Sequence, residues 1–291
     1  MAGGLARHAA STVPPGLCAE VAFPHVALRP FVSRYVQVAL DLPAGSTLQH
    51  PLSALTGSVA TVLWSGQVTM RGAGIENRIA SSCLIGPLTR WHDNLVTGSL
   101  RTFCVHFTPL GANVLLQLHG CDFQDHAVPF GDVLDGAVGA RACRWSDQVA
   151  QAAGFAARIA LADRFLLDQL CGAQAHFDLV AAAVVQIGQA PEGVCRVSRL
   201  ATELACSERT LRRRFHEELG LSLKRFARIT RFRQAHAFLQ GAGGVDWASA
   251  IARFGYVDQA HLIHEYREFA GTTPARFRTD ERFLDNALIL R

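Results

Sequence analysis

The feature that most restricts the fold is a repeated segment in the C-terminal part of the chain. "SERTLRRRFHEELGLSLKRF" (207–226) aligns without gaps on "DQAHLIHEYREFAGTTPARF" (258–277), at an offset of 51 residues. The positions that agree in kind are Ser207 with Asp258, Leu211 with Leu262, Phe215 with Tyr266, Gly220 with Gly271, Ser222 with Thr273, and Phe226 with Phe277. Two copies are too few for a solenoid, so the repeat predicts two similar supersecondary units.

Each copy has the local chemistry of a short helix. Ser207 and Asp258 are good N-caps, because their side-chain oxygens can accept hydrogen bonds from the free backbone N–H groups of the first turn. A leucine and an aromatic residue four positions apart form one apolar stripe, and the glycine that follows can end the helix. A short segment with helical periodicity precedes each copy, at 197–206 and 246–257. The sequence therefore predicts a helix-turn-helix written twice.

The two units are joined by "SLKRFARITRFRQAHAFLQ" (222–240), which contains neither proline nor glycine. Its apolar residues recur at helical spacing, which predicts one continuous helix. At 1.5 Å per residue this helix would be about 28 Å long. That length is close to the roughly 34 Å between successive major grooves on one face of DNA.

Positive charge is concentrated in the first unit. Residues 196–233 hold 11 basic and 4 acidic side chains, although the chain has only one lysine, Lys224. Residues 234–291 carry 6 basic and 7 acidic side chains. Such a local surplus usually forms a solvated face, but next to a helix-turn-helix pattern it indicates a polyanionic partner.

Residues 176–279 resemble the DNA-binding domain of the AraC/XylS-type transcriptional regulators. The marks are "LATELACSERTLRRRFHEELGLSLKRF" in the first unit and "GYVDQAHLIHEYREFAGTTPARF" in the second. The resemblance implies a sequence-specific regulator that binds double-stranded DNA and reads the major groove with helices 207–219 and 258–270. The chain departs from the family at Ala250 and Ile251, which stand in the opposite order from the usual pattern. Because the total volume is kept, we expect a repacked helix.

The resemblance also implies which side chains contact DNA. If Leu211 and Phe215 face inward, the exposed side of the first helix carries Arg209, Arg212, Arg213 and His216. Arginine suits this position because its planar fork can bond guanine O6 and N7 or grip phosphates. The family pattern places Arg209, Arg212 and Arg213 in the groove. We expect Arg214 to contact a phosphate or Glu218, and the corresponding outward positions of the second unit are Gln259, His261 and His264.

The N-terminal region predicts a smaller β-rich domain followed by helices. "VATVLWSGQVTM" (59–70) has the pattern of a hairpin around Ser65–Gly66, and "LRTFCVHFTP" (100–109) is typical of a strand. "LRPFVSRYV", "IGPLTRW" and "FCVHFTPLGANVLL" resemble the cupin-like N-terminal domain of one subset of these regulators. That resemblance implies a sensor or a dimerisation module.

The predicted fold class is therefore α+β: a β-rich, cupin-like N-terminal domain with trailing helices, then an all-α domain of two helix-turn-helix units joined by a long helix. The predicted boundaries are a flexible N-terminus at 1–20, the sensor or dimerisation domain at 21–172, the DNA-binding domain at 173–280 and a tail at 281–291.

Candidate pocket and metal residues give weaker signals. The side chains considered for a pocket are Trp64, Arg90, Trp91, His92 and His106, for which packing or surface exposure is the favoured interpretation. A metal site would need His50, His92 and His106 to converge, and no short-spaced His or Glu motif supports it. We predict no metal, no cofactor and no catalytic residues, so the chain is not expected to be an enzyme.

Two other classes of protein are alternatives to a transcriptional regulator. A DNA-alkylation repair enzyme with this C-terminal module needs four clustered cysteines near the N-terminus, and only Cys18 lies in the first 80 residues. The eight cysteines include no CxxC pair, which argues against zinc modules and a disulfide framework. The remaining alternative is a small-molecule-binding β-barrel protein, or an enzyme, whose C-terminal helices mediate protein contacts.

The partners expected are double-stranded DNA first, then RNA polymerase, a small-molecule effector and a second copy of the chain. No run approaches the roughly 18 apolar residues that a membrane span needs. "MAGGLARHAASTVPPGLC" lacks the apolar centre of a signal peptide. We therefore expect a cytoplasmic protein with no membrane partner.

Overall fold

The computed structural model describes residues 16–72, 74–79, 82–134, 136–172, 178–190, 197–241 and 247–279. Within these ranges the chain forms eight β-strands and eleven α-helices. One of these helices lies between the seventh and eighth strands, and the other ten follow the last strand. The strands all lie before residue 130, and everything described after it is helical. The predicted α+β class is confirmed, whereas the segment before residue 16 and the tail from 281 lie outside the described residues.

The strands form one antiparallel sheet. They are β1 Leu17–Ala22, β2 Val32–Leu40, β3 Thr47–Leu52, β4 Val59–Gly72, β5 Ile75–Ile79, β6 Cys83–Ile85, β7 His92–Phe107 and β8 Ala127–Pro129. Their order is β1-β2-β7-β4-β6-β8, with β3 also paired to β7 and β5 to β4. Because β1 already begins at Leu17, the sheet starts before the predicted domain boundary at residue 21.

The long strand β7 separates two apolar layers. Its even-numbered residues Val96, Leu100 and Cys104 line an internal cavity. Its odd-numbered residues Phe103 and Val105 are fully buried on the other face, against helices. This alternation follows from the two-residue period of a strand. One face of the sheet is therefore covered by helices, and the other face lines the cavity.

The predicted hairpin at 59–70 is wrong, because these residues belong to one strand. β4 runs unbroken from Val59 to Gly72 beside β7, and the register shifts between Leu63 and Ser65 and again between Ser65 and Gln67. Gly66 has a φ of 86°, a left-handed conformation that favours glycine. The Ser-Gly pair therefore forms a β-bulge, which keeps the strand running while it changes which residues face the cavity.

Helices cover the back of the sheet. They are α1 Gly111–Leu116, α2 Phe130–Val133, α3 Gly136–Gln151 and α4 Phe155–Gly172. Trp145 of α3 stacks on Phe165 of α4, with ring centroids 5.1 Å apart. Buried Phe130 lies against the same tryptophan. The trailing helices predicted after Pro109 are thus present and share one core with the sheet.

The C-terminal region is a separate helical core. Its helices are α5 Asp178–Gln189, α6 Val197–Glu203, α7 Glu208–Leu219, α8 Leu223–Gly241, α9 Trp247–Arg253, α10 Gln259–Ala270 and α11 Pro274–Thr279. The predicted connecting helix is confirmed as α8, whose Phe226, Ile229 and Phe232 are buried. At the position that departs from the family, Ala250 is fully buried and Ile251 packs partly buried against the core.

Candidate nucleic-acid interface

Helix α7 is fixed at both ends by the residues that the repeat predicts. Ser207 Oγ accepts a hydrogen bond from the Thr210 N–H at 3.1 Å, which satisfies one of the free donors of the first turn. Gly220 ends the helix with a φ of 69°. Leu211 and Phe215 are fully buried, so the opposite side of the helix faces solvent.

The predicted contact residues of α7 lie on that solvent face. Arg209, Arg212, Arg213 and His216 are all exposed. Arg212 pairs with Glu208 at 2.9 Å and Arg213 with Glu217 at 2.8 Å, with both guanidinium side chains 60% exposed. Exposed pairs one helical turn apart contribute only about 0.3–0.5 kcal/mol, so a phosphate or base can replace the glutamate. Arg209 makes no ion pair with any residue that the structure describes.

Arg214 has a different environment from its neighbours. Its guanidinium is half-buried and bonds Glu218 at 3.0 Å, and the Glu218 side chain is only 15% exposed. Burial raises the pKa of Glu218, although the hydrogen bond from Arg214 acts in the opposite direction. Of the two partners predicted for Arg214, Glu218 is the one it contacts in the protein alone.

Helix α10, the second of the two predicted reading helices, begins in the same way. Asp258 Oδ1 accepts a hydrogen bond from the His261 N–H at 2.7 Å. Gln259 and His264 are exposed. His261 is less free, because its ring packs edge-on against Tyr256 with centroids 5.2 Å apart. The predicted contact positions of this helix therefore carry one amide and two imidazole side chains, and no arginine.

A buried ionic cluster joins α8 to α10, and the sequence reasoning missed it. Glu265 is completely buried, and its carboxylate accepts hydrogen bonds from Arg228 at 3.0 Å, from Arg231, and from the Tyr256 hydroxyl at 3.0 Å. One turn on, Glu268 bonds both Arg225 and Arg228. The sequence pattern that could have indicated this cluster is the spacing of three residues between Arg225, Arg228 and Arg231 on α8. Glu265 and Glu268 have the same spacing on α10.

This cluster changes how the basic surplus at 196–233 is distributed. Arg225, Arg228 and Arg231 are directed at glutamates of α10, and Arg228 and Arg225 also lie over the Phe269 ring. Burial acts to raise the pKa of Glu268, but the bonds from Arg228 and Arg225 outweigh it and hold that pKa below its usual value. Among the described residues of this segment, the basic side chains that remain exposed are Arg209, Arg212 and Arg213 of α7, together with Arg199 and Lys224.

The N-terminal domain contacts the C-terminal ends of α7 and α10. At α10, the Ala54 N–H donates to Phe269 O at 2.7 Å and the Trp91 N–H to Glu268 O at 3.4 Å. The Trp91 ring lies so close to Gly271 that a side chain there would collide with it. At α7, Asn113 donates to Glu218 O and the Cys121 thiol to Glu217 O at 3.3 Å. The N-terminal halves of α7 and α10 are free of these contacts.

The cavity in front of the sheet has a volume of about 130 Å³. Of the five side chains considered for a pocket, His106 lines it. Trp64 lies under Arg158, 4.3 Å from the guanidinium carbon, and Trp91 packs at the domain interface. His92 is fully buried beside Gly72, with its Nδ1 3.1 Å from Arg90 O. His50 and His106 share the cavity without His92, so the three histidines do not converge.

No group of three or more His, Cys, Asp or Glu side chains in the described ranges is arranged to hold a metal ion. None of the described helices has both the length and the apolar character needed to span a bilayer.

The chain is similar to a known domain family and to several solved structures. Residues 200–280 match the family model described as a helix-turn-helix domain. ToxT from Vibrio cholerae is similar over 90% of this chain and 97% of its own, at 9% identity and a TM-score of 0.49. The AraC-like transcriptional activator CuxR is similar over 82% of this chain and 89% of its own, at 16% identity and a TM-score of 0.34. No curated protein sequence matches the chain.

Two capped helix-turn-helix units, joined by one helix and carrying arginines on an exposed face, define a DNA-binding transcriptional regulator. Residues 200–280 of the chain belong to the helix-turn-helix domain family that the matching family model describes.

Proposed function

We propose that the protein binds specific sites on double-stranded DNA by placing α7 and α10 in two successive segments of the major groove. The observation that supports this most is the exposed arginine face of α7, opposite a buried apolar stripe. The 19 residues of α8 give a spacer of about 28 Å, which suits two contacts on one side of the duplex. In this arrangement the first unit supplies most of the electrostatic attraction to the DNA phosphates.

Within this proposal the exposed side chains have distinct roles. Arg209, Arg212 and Arg213 contact base edges, where arginine discriminates guanine best. His216 and Arg214 lie farther along α7 and contact the phosphate backbone of the DNA. To do so, Arg214 must break its ion pair with Glu218 and bind a phosphate instead. In the second unit Gln259 and His264 are free to reach bases, and His261 contributes from a more fixed position.

We also propose that residues 21–172 regulate the DNA-binding region at 173–280. The route runs through the segment after β3. Leu52 and Leu55 line the cavity, while Ala54 between them bonds Phe269 of α10 and accepts a hydrogen bond from Arg233 of α8. A small-molecule effector in the cavity would thus act on the second unit. The further partners that this function implies are RNA polymerase and a second copy of the chain. In this proposal the protein acts in the cytoplasm, together with the DNA that it binds.

Titration of DNA binding against salt tests the proposal. If α7 and its neighbours neutralise phosphates, log affinity will fall linearly with log salt, with a slope of about 0.9 for each contact. Binding of the whole chain to mixed-sequence DNA and to a selected site should be measured between about 50 and 200 mM salt. A flat dependence on both DNAs is incompatible with a phosphate-gripping arginine face.

Alanine substitution of Arg212 or Arg213 separates base reading from phosphate gripping. Each change is expected to cost about 1–3 kcal/mol at the selected site and to relax preference at one base position. Arg71→Ala is the matched control, because Arg71 is 53% exposed and pairs with Glu76 at 2.8 Å in the N-terminal domain. Equal losses on selected and random DNA would reassign the changed arginine to the phosphate backbone.

A further inference from the structure

The cavity of the N-terminal domain has an almost wholly apolar lining. Leu40, Leu63, Val96 and Leu100 are typical of its walls, and no Lys, Arg, Asp or Glu side chain is among its lining residues. Its volume of about 130 Å³ is close to that of engineered apolar cavities of about 150 Å³, which hold benzene. Size alone therefore points to a ligand no larger than one aromatic ring with a short substituent.

The polar atoms of the lining differ in whether they already have partners. Thr102 Oγ1 donates to Val62 O at 3.1 Å, and the Cys104 thiol lies 3.7 Å from both Thr61 Oγ1 and Thr102 Oγ1. In contrast, the His106 ring forms no hydrogen bond with any residue that the structure describes, and the buried Asn94 Oδ1 of the lining has none among those residues either. Because a neutral imidazole has one donor and one acceptor nitrogen, this ring can bind either a hydroxyl or a carbonyl group.

The charge state of His106 restricts the ligand further. Burial, helped by the nearby positive charges of Arg34 and Arg233, lowers the pKa of His106 to about 3. The imidazole is therefore neutral at physiological pH and offers no positive charge to an acid. Neither arginine lines the cavity, and a carboxylate moved into an apolar cavity without a paired cation loses much of its hydration free energy.

We propose that the cavity binds a neutral, mainly apolar molecule of about one aromatic ring, with a single hydroxyl or carbonyl group hydrogen-bonded to His106. The inference rests on the proposed sensor role of the N-terminal domain and specifies which molecules that sensor accepts. An anion of the same shape is excluded by the lack of a lining cation, and a cation by the lack of a lining carboxylate.

The direct test compares benzyl alcohol, benzoate and benzylamine, which share a ring and differ in charge. Binding to the full chain is measured by calorimetry without DNA, together with the thermal unfolding midpoint. We expect benzyl alcohol to bind about tenfold or more tighter than either ion and to raise the midpoint by a few degrees. Benzoate binding as tightly as the alcohol, or none of the three binding at millimolar concentration, would overturn the proposal.

Variants separate the cavity from the hydrogen bond. Val96→Phe fills the cavity and should abolish binding of both benzyl alcohol and toluene. His106→Phe keeps a ring in place but removes the polar group, so benzyl alcohol should weaken about two- to tenfold while toluene is unchanged. His126→Phe, at an exposed histidine of the same domain outside the cavity lining, is the matched control and should leave both affinities near those of the wild type.

If His106→Phe weakens toluene and benzyl alcohol equally, the histidine shapes the cavity and does not bind the ligand's polar group. Should Val96→Phe fail to fold, the comparison of neutral and charged probes on the wild type still decides the ligand class. Because these measurements contain no DNA, a negative result leaves the DNA-binding proposal intact. Likewise, loss of DNA binding in the α7 variants leaves the ligand measurements unaffected.

Discussion

Replacing Glu265 by alanine is expected to destabilise the helix-turn-helix domain by about 3–5 kcal/mol. Glu265 is fully buried and accepts hydrogen bonds from Arg228, Arg231 and Tyr256. Its removal leaves Arg231, itself only 9% exposed, without its carboxylate, and an unpaired buried charge is costly. The free energy of unfolding of the full chain, followed by denaturant titration, measures the loss.

Glu217→Ala is the control for this experiment. Glu217 also bonds an arginine, but both side chains are at least half exposed, so the change should cost no more than about 1 kcal/mol. If Glu265→Ala costs as little as Glu217→Ala, the cluster between α8 and α10 does not hold the two units together.

The second large effect is expected from a proline in the middle of α8. Thr230 lies near the centre of this helix and outside its fully buried face. Thr230→Pro removes a backbone donor and clashes with the preceding turn, at a cost of about 3 kcal/mol or more. The two reading helices then lose their fixed separation, so affinity for a bipartite site should fall toward that of the first unit alone.

Thr230→Ala keeps the helix and should bind like the wild type. Circular dichroism must show that the proline variant retains both helical halves before its affinity is interpreted. A folded Thr230→Pro protein with unchanged affinity and an unchanged footprint would mean that α8 is not a rigid spacer.

The elements that the sequence predicted well are those fixed by local chemistry. Ser207, Asp258, Gly220 and Gly271 act on the backbone within one or two turns of themselves, so their role could be inferred from neighbouring residues. The same holds for the exposure of Arg213, because the 3.6-residue period places it opposite Leu211 and Phe215 whatever else the helix touches.

The elements that the sequence did not predict depend on distant parts of the chain. Ser65–Gly66 has the composition of a turn, and only pairing with β7 makes it a bulge in a continuous strand. Glu265 is 37 residues from Arg228, so no local window joins them. The contacts of Ala54 and Trp91 with α10 are more distant still, and nothing in their own neighbourhoods distinguishes them from ordinary packing residues.

The most direct test of the account is a hydroxyl-radical footprint of the full chain on a selected double-stranded site, combined with methylation of guanine N7. Two units held by α8 predict two protected segments on one side of the duplex, centred about 10 base pairs apart. Guanine methylation in the segment facing α7 should block binding, because Arg209, Arg212 and Arg213 need that groove edge. A single protected segment, or binding that is indifferent to guanine methylation in both segments, would contradict major-groove reading by α7 and α10.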